Sequence, residues 1–252
     1  MNRVVVLQVR MGSSRLPGKA MLPLAGEPAL VHEIRRAASA GPIDVSDIVV
    51  ATSTEPRDDI LVTTAERVGA TVYRGSESDV LGRVHKAVES VDADATVRLC
   101  GDNTLIDPRL VEVLFETLEE ADVDYVSTKF ERTFPVGHNA DAFTTDAISR
   151  AADRARDDHY REHVAQYFKD GPPWLEWRTV TADKVFDPDL REAVPDLTEL
   201  RLTMDECDDY ELLRRVYDSV DFEGVLDTSD AIRYVLDNDL QRVNADVNQA
   251  VW

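Results

Sequence analysis

Between Val4 and Glu120 the chain alternates short apolar runs with amphipathic stretches, four times in succession. Val4-Val5-Val6-Leu7, Ile48-Val49-Val50-Ala51, Thr71-Val72-Tyr73 and Val97-Arg98-Leu99 read as strands. Near-continuous apolar runs of this length suit strands covered on both faces. Pro28 to Ala40, Asp58 to Val68, Asp79 to Val91 and Pro108 to Glu120 read as helices. The first places Leu30, Val31 and Ile34 on one face, and Gly69 stops the second. Such alternation specifies an α/β fold with a mostly parallel sheet and helices on both faces. At 252 residues, 1–252 is expected to be a single domain.

From Lys129 to Pro173 the alternation gives way to aromatic residues, prolines and the Asp157-Asp158 pair. Asp146 to Arg156 and His159 to Phe168 look helical, and Gly171-Pro172-Pro173 stops the second. Residues 129–180 are expected to form a smaller lobe over the sheet edge. The chain returns through Trp174 to Val180 and Leu200 to Thr203, the latter expected as a strand, and two helices follow, Asp208 to Val220 and Thr228 to Asn238. Leu240 to Trp252 carries no legible pattern.

Charge excludes whole classes of function. Asp and Glu number 49 against 28 Lys and Arg, for a net charge of −21. The excess is spread along the chain, and lysine occurs only at 19, 86, 129, 169 and 184. No basic face is visible, so nucleic acid is not expected as a partner. A diffuse acidic surface poor in lysine suits a protein working in concentrated salt, where self-repulsion is screened. No run of about 18 apolar residues occurs, so no membrane span is expected. Met1 to Leu7 reads as a first strand rather than a signal peptide. Cys100 and Cys207 read as free thiols in a reducing compartment, the cytoplasm.

Against this acidic background the segment Gln8 to Lys19, QVRMGSSRLPGK, concentrates Arg10, Arg15 and Lys19 directly after the first strand. Ligands of open α/β sheets sit at the carboxyl ends of strands. Gly12, Ser13, Ser14 and Gly18 let the backbone bend close to an anion, while arginine and lysine grip phosphate oxygens. The pattern is not a Walker A loop: five residues separate Gly12 from Gly18, and Ala20 stands where a magnesium-holding Ser or Thr would be. It is not a G-x-G-x-x-G dinucleotide loop either. On the residues alone, a polyphosphate site and a basic surface loop with turn glycines both remain open.

The full twelve-residue pattern resembles the signature of the CMP-sugar synthetases, A-R-x-x-S-x-R-L-P-G-K. Within that acylneuraminate-type cytidylyltransferase family the chain most resembles the spore-coat polysaccharide biosynthesis protein F group. The likeness continues collinearly through VVATSTEPRDD, YRGSESDVLGRV, VRLCGDNTLIDP, REHVAQYF and LTMDECDDYELL, over roughly residues 3 to 218. It implies a Rossmann-like nucleotidyltransferase sheet with a small dimerisation or substrate lobe, and a homodimer is part of that expectation. It also implies CTP as donor, a sugar acid as acceptor and Mg2+ as cofactor. Nucleotide contacts are expected from Gln8, Val9, Arg10, Gly12, Ser13, Ser14, Arg15 and Lys19, with the base read by Ser76, Asp79 and Arg83. Arg10, Lys19 and Asp102 are the expected catalytic residues. Ser78 or Asp79 could equally cap a helix.

Transfer from a nucleoside triphosphate needs a cation that neutralises developing charge, and magnesium takes one or two carboxylates with phosphates and waters. By resemblance Asp102 of G-D and Asp205 of T-M-D are the metal carboxylates. Asp205 could instead cap the following helix, and Asp209 is a weaker second candidate. Acceptor contacts are implied for Asn103, His138, Asn139, Asp141, Arg161 and His163. Asn139 and Asp141 depart from the family's aspartate and glutamate there, and Asn103-Thr104 replaces the usual Cys-Pro. His159 and His163 would share a helix face, yet they do not make H-E-x-x-H. His32 and His85 read as structural, and Trp174 and Trp177 as packing for the lobe or a dimer surface. Another nucleotide donor, a phosphonate or sugar-phosphate acceptor, and a non-catalytic nucleotide-binding protein of a glycan pathway remain alternatives.

Overall fold

The computed structural model describes residues 1–194 and 196–247. The expected strands form in order: β1 Arg3–Gln8, β2 Ile48–Ser53, β3 Thr71–Gly75 and β4 Ala95–Cys100. Three more complete a seven-stranded sheet: β5 Tyr125–Ser127, β6 Asp141–Thr144 and β7 Trp177–Thr179. The spatial order is β3-β2-β1-β4-β6-β5-β7. Pairing is parallel from β3 through β4 and between β5 and β7, whereas β6 runs antiparallel to both its neighbours. The sheet is thus mostly parallel, with one reversed strand at its heart.

The helices are α1 Ala29–Ala38, α2 Asp59–Arg67, α3 Val80–Glu89, α4 Pro108–Glu120 and α5 Thr145–Arg154. Then come α6 Asp158–Glu162, α7 Val164–Lys169, α8 Pro188–Ala193, α9 Cys207–Ser219 and α10 Thr228–Asp237. Period-2 alternation sends Val5 and Leu7 of β1 into one core with α1, α2, α4, α9 and α10, and Val4 and Val6 into another with α3, α5 and α7. Both faces of the sheet are therefore covered, as the apolar runs require.

Three expectations are corrected. His159 to Phe168 is two short helices, because His163 leaves helical dihedrals at φ −106° and ψ 77°. Leu200 to Thr203 is not a strand; Arg201 makes one bridge to Val136. A turn, not a sheet edge, lies opposite it, so no ladder can extend. The segment 129–180 supplies β6 and β7 to the main sheet, besides α5 to α7. Of the C-terminal stretch, Leu240–Arg242 forms a single 3-10 turn, and 248–252 lie outside the described residues.

The chain steps outward from β1 to β3 and returns to the other side of β1 as β4. The sheet order reverses between β1 and β4, and the loops leaving the carboxyl ends of these two strands meet there.

Candidate active site

The loop after β1 is shaped by its own backbone. Gly18 N–H and Ser13 N–H both donate to Met11 O, at 3.0 and 2.9 Å, curling the segment into a cradle. Gly18 adopts φ +73°, a left-handed conformation that costs glycine nothing, and starts the 3-10 turn Lys19–Met21. Asp58 anchors the loop from beneath. It is buried and accepts from Met11 N at 2.8 Å, Ser53 N at 3.1 Å and the hydroxyls of Thr52 and Ser53. Burial alone would raise its pKa; these hydrogen bonds outweigh it and hold the carboxyl below its ordinary value.

The loop after β4 comes equally close. A Cβ on Gly101 would lie 2.7 Å from Val9 Cβ, so a side chain there would push the two loops apart. Gly101 N–H instead donates to Gln8 O at 2.8 Å, and Asp102 follows at the mouth of the crevice. Asp102 O in turn accepts from Met204 N at 2.8 Å, bringing Asp205 alongside from far along the chain. Glu206, not Asp205, is the N-cap of α9, which leaves the Asp205 carboxylate to the cleft. Asp209 is no second ligand. It is fully buried and takes a bidentate grip from Arg201 at 2.7 and 2.9 Å, while accepting from Asp205 N and Glu206 N at 3.0 Å each. Arg201 and Asp209 fix the backbone that carries Asp205.

Lys19 stands at the centre. Its Nζ donates to Asp102 Oδ2 at 2.9 Å and to Asp205 Oδ1 at 2.7 Å. Burial opposes its charge, but the two carboxylates prevail and raise its pKa above the ordinary lysine value. Burial likewise opposes ionisation of Asp205, yet Lys19, Arg15 and Arg201 hold its pKa below the usual value. Arg15 reaches Asp205 Oδ2 at 3.1 Å, and Arg10 faces Glu77 at 3.7 Å. Behind them Glu33 is sealed inside α1, and burial, with the Asp102 charge, pushes its pKa well above the carboxylate range.

One open cleft gathers Gln8, Val9, Arg10, Gly12, Ser13, Ser14, Arg15, Lys19, Arg83, Asp102, His163 and Asp205. It does not gather the rest. Asp79 caps α3 by accepting from Gly82 N at 2.9 Å, and Ser76 Oγ accepts from Asp79 N at 3.1 Å. Arg161 ties α6 to α3 through Asp79 and to Ala152 O at 2.7 Å. Asn103 is buried against Asn139 O at 3.3 Å, and Asn139 is exposed. His138 is fully buried, and burial pushes its pKa down to about 3, which keeps the ring neutral. Asp141 is sealed too. Arg98, its cross-strand partner, donates to it, as do Tyr125 at 2.6 Å, Ser127 at 2.8 Å and Lys129 at 3.3 Å. Burial disfavours its charge, but Lys129, Arg98 and the two hydroxyls hold its pKa far below the normal value. For His138 and Asp141, expected at the acceptor, the physical reason is the same: both are walled in by the turn and strand that insert β6 beside β4.

Sequence reasoning missed Cys100, Glu162 and Val80 in the cleft wall, and Glu77 opposite Arg10. The Glu77 contact had one signal, its place inside the segment proposed to read the base. Asp102 and Asp205 are a fit for a hard divalent cation: two carboxyl groups already converge on a single cationic point. Among the described residues no group of three or more His, Cys, Asp and Glu side chains could hold a metal by itself. Phosphate oxygens and water would have to complete any coordination here.

Such a cradle, at the reversal point of a mostly parallel sheet with paired carboxylates across it, defines a nucleotidyltransferase. The chain belongs to the cytidylyltransferase family, whose sequence model matches residues 4–219, and it is a CTP-dependent enzyme. It is 34% identical over 215 residues to the spore coat polysaccharide biosynthesis protein SpsF of Bacillus subtilis, covering 84% of this chain and 85% of that one. It is 32% identical over 136 residues to a 3-deoxy-manno-octulosonate cytidylyltransferase of Mesorhizobium japonicum, covering 52% of this chain and 54% of the relative. A cytidylyltransferase structure from Leptospira borgpetersenii superimposes with a TM-score of 0.86 at 25% identity, covering 99% of this chain and 100% of the other. No helix among the described residues is long and apolar enough to cross a membrane.

Proposed function

We propose that this enzyme transfers CMP from CTP to a 2-keto sugar acid, such as a nonulosonic acid, with release of pyrophosphate. The observation that carries the reading is Lys19 poised between Asp102 and Asp205, with Arg10 and Arg15 beside it on the β1 loop. The names of the SpsF and octulosonate relatives support a sugar-acid acceptor.

In this reading the triphosphate lies along the β1 loop, and Arg10, Arg15 and Lys19 hold its oxygens. Arg83 and the start of α3 face the base. Asp102 and Asp205 would hold magnesium, which supplies charge neutralisation on the phosphates. The anomeric hydroxyl of the acceptor attacks the α-phosphorus, forming one P–O bond while the bond to the β-phosphate breaks; the hydroxyl proton passes to solvent and the electron pair leaves with pyrophosphate. The protein's share is positioning and electrostatic stabilisation, without a covalent intermediate. His163 and Glu162 also line this cleft, and the reading assigns them to the acceptor. A homodimer in a salt-rich cytoplasm completes the proposal, and sedimentation in molar KCl tests the dimer.

Calorimetry in molar KCl with magnesium, comparing CTP with UTP, ATP and GTP, tests the donor. Pyrophosphate release across a panel of 2-keto sugar acids then tests the acceptor. Selective CTP binding with release on one of these acids is the expected result. Preference for another nucleotide, or release only with sugar phosphates, would overturn it.

A further inference from the structure

Every cation of the β1 loop faces a carboxylate from another segment. Lys19 is shared by Asp102 and Asp205, Arg15 meets Asp205 and Glu206 at 3.1 and 3.6 Å, and Arg10 meets Glu77 at 3.7 Å. Both oxygens of Asp205 are committed, Oδ1 to Lys19 and Oδ2 to Arg15, with Arg201 3.6 Å away. The Lys19 side chain is only 12% exposed, so its ammonium fills the point between the carboxylates rather than hovering over it.

We propose that Lys19 makes the binding of a divalent cation and of the triphosphate interdependent. The inference rests on the assignment of Asp102 and Asp205 as the metal carboxylates. An ammonium and a divalent cation cannot share one pair of carboxylates, since they need the same oxygens and repel each other. A cation arriving alone meets Lys19. A triphosphate arriving alone meets cations already neutralised by acids. Together they resolve both conflicts: the phosphates draw Lys19 and Arg15 onto themselves, and the freed carboxylates turn to the metal. By linkage, the metal then tightens the nucleotide by the same factor as the nucleotide tightens the metal.

The test uses manganese as a spectroscopic probe, with free ion counted by electron paramagnetic resonance, and CTP binding measured by calorimetry. In the unmodified protein, manganese alone should bind weakly and tighten by about tenfold or more with CTP present. Lys19→Met and Lys19→Gln should bind manganese alone about tenfold more tightly than the parent, while losing most of the coupling. Lys19→Arg keeps the charge and should keep the metal out. Two substitutions guard against one of them failing to fold, which thermal melting checks. Manganese bound no more tightly by the Met and Gln variants than by the parent would overturn the inference. So would CTP bound as tightly in EDTA as with manganese. If no nucleotide binds under any condition, the cytidylyltransferase reading falls, and the manganese arm still decides whether Lys19 competes.

Discussion

Two clusters of opposite charges lie near the carboxyl end of β4, and they differ in what surrounds them. At the cleft, one lysine serves two carboxylates, whose side chains are 25% and 20% exposed. Inside the sheet, Asp141 has two cations and two hydroxyls to itself and is 1% exposed. The carboxylates of the first cluster open on the cleft; the carboxylate of the second does not reach solvent. Ion pairs of the same chemical make-up thus serve exchange in one place and construction in the other. Access to water and to ligand, rather than residue type, decides between them.

The largest expected effect would sharpen that contrast from the structural side. Asp141→Ala strands Arg98 as a buried unpaired charge and should cost about 3–5 kcal/mol of stability, read by denaturant unfolding in molar KCl. Replacing Arg98 and Asp141 together by apolar residues of similar volume should cost much less. Equal losses in single and double variants would break the account of the sealed cluster. On the other side, Asp102→Ala should lower kcat about 10²–10³-fold, with the unfolding midpoint nearly unmoved. A large fall in stability there would mean that the cleft cluster is structural as well.

Acid should affect the sealed interior next. His138 has a folded pKa near 3 against about 6.5 when unfolded, so the unfolded chain takes up a proton that the folded one refuses. Its contribution is intact above about pH 6.5 and is lost progressively below, reaching about 2 kcal/mol at pH 5. Burial lowers the pKa of His32 and His85 as well, with the same sign. The depressed pKa of Asp141 extends the loss to lower pH, where its carboxylate is finally protonated. Stability measured from pH 7 to pH 5 should fall, and His138→Phe should flatten the slope. The smallest effect belongs to the cleft rim. Glu77→Gln frees Arg10 from a partner 3.7 Å away and should change CTP affinity by less than about fivefold, measured by calorimetry.

The same division explains what the sequence revealed. The β1 loop was legible because an anion cradle must be written locally, with glycines and cations inside a dozen residues. The four strands up to β4 were legible because burial on both faces demands unbroken apolar runs. β6 was not, since Asp141-Ala142-Phe143-Thr144 opens on a poor strand former whose partner, Arg98, lies in a distant segment. The family resemblance put Asp141 at the acceptor instead. Asp209 looked like a spare ligand because its bond to Arg201 depends on the Leu200–Thr203 segment running against a turn. The reach of Asp58 to the loop is tertiary and leaves no local trace.

The hydrogen bond from Met204 N–H to Asp102 O has a consequence for how the protein comes into being. A growing chain on the ribosome presents the cradle and Asp102 early, but Asp205 is translated only after most of the sheet. Domains fold from the N-terminus as they emerge, at about 5–20 residues per second. On the proposed assignment of Asp205, stalled chains ending before Met204 should bind no CTP on arrested ribosomes. A chain that stops before Met204 lacks the second carboxylate that meets Lys19.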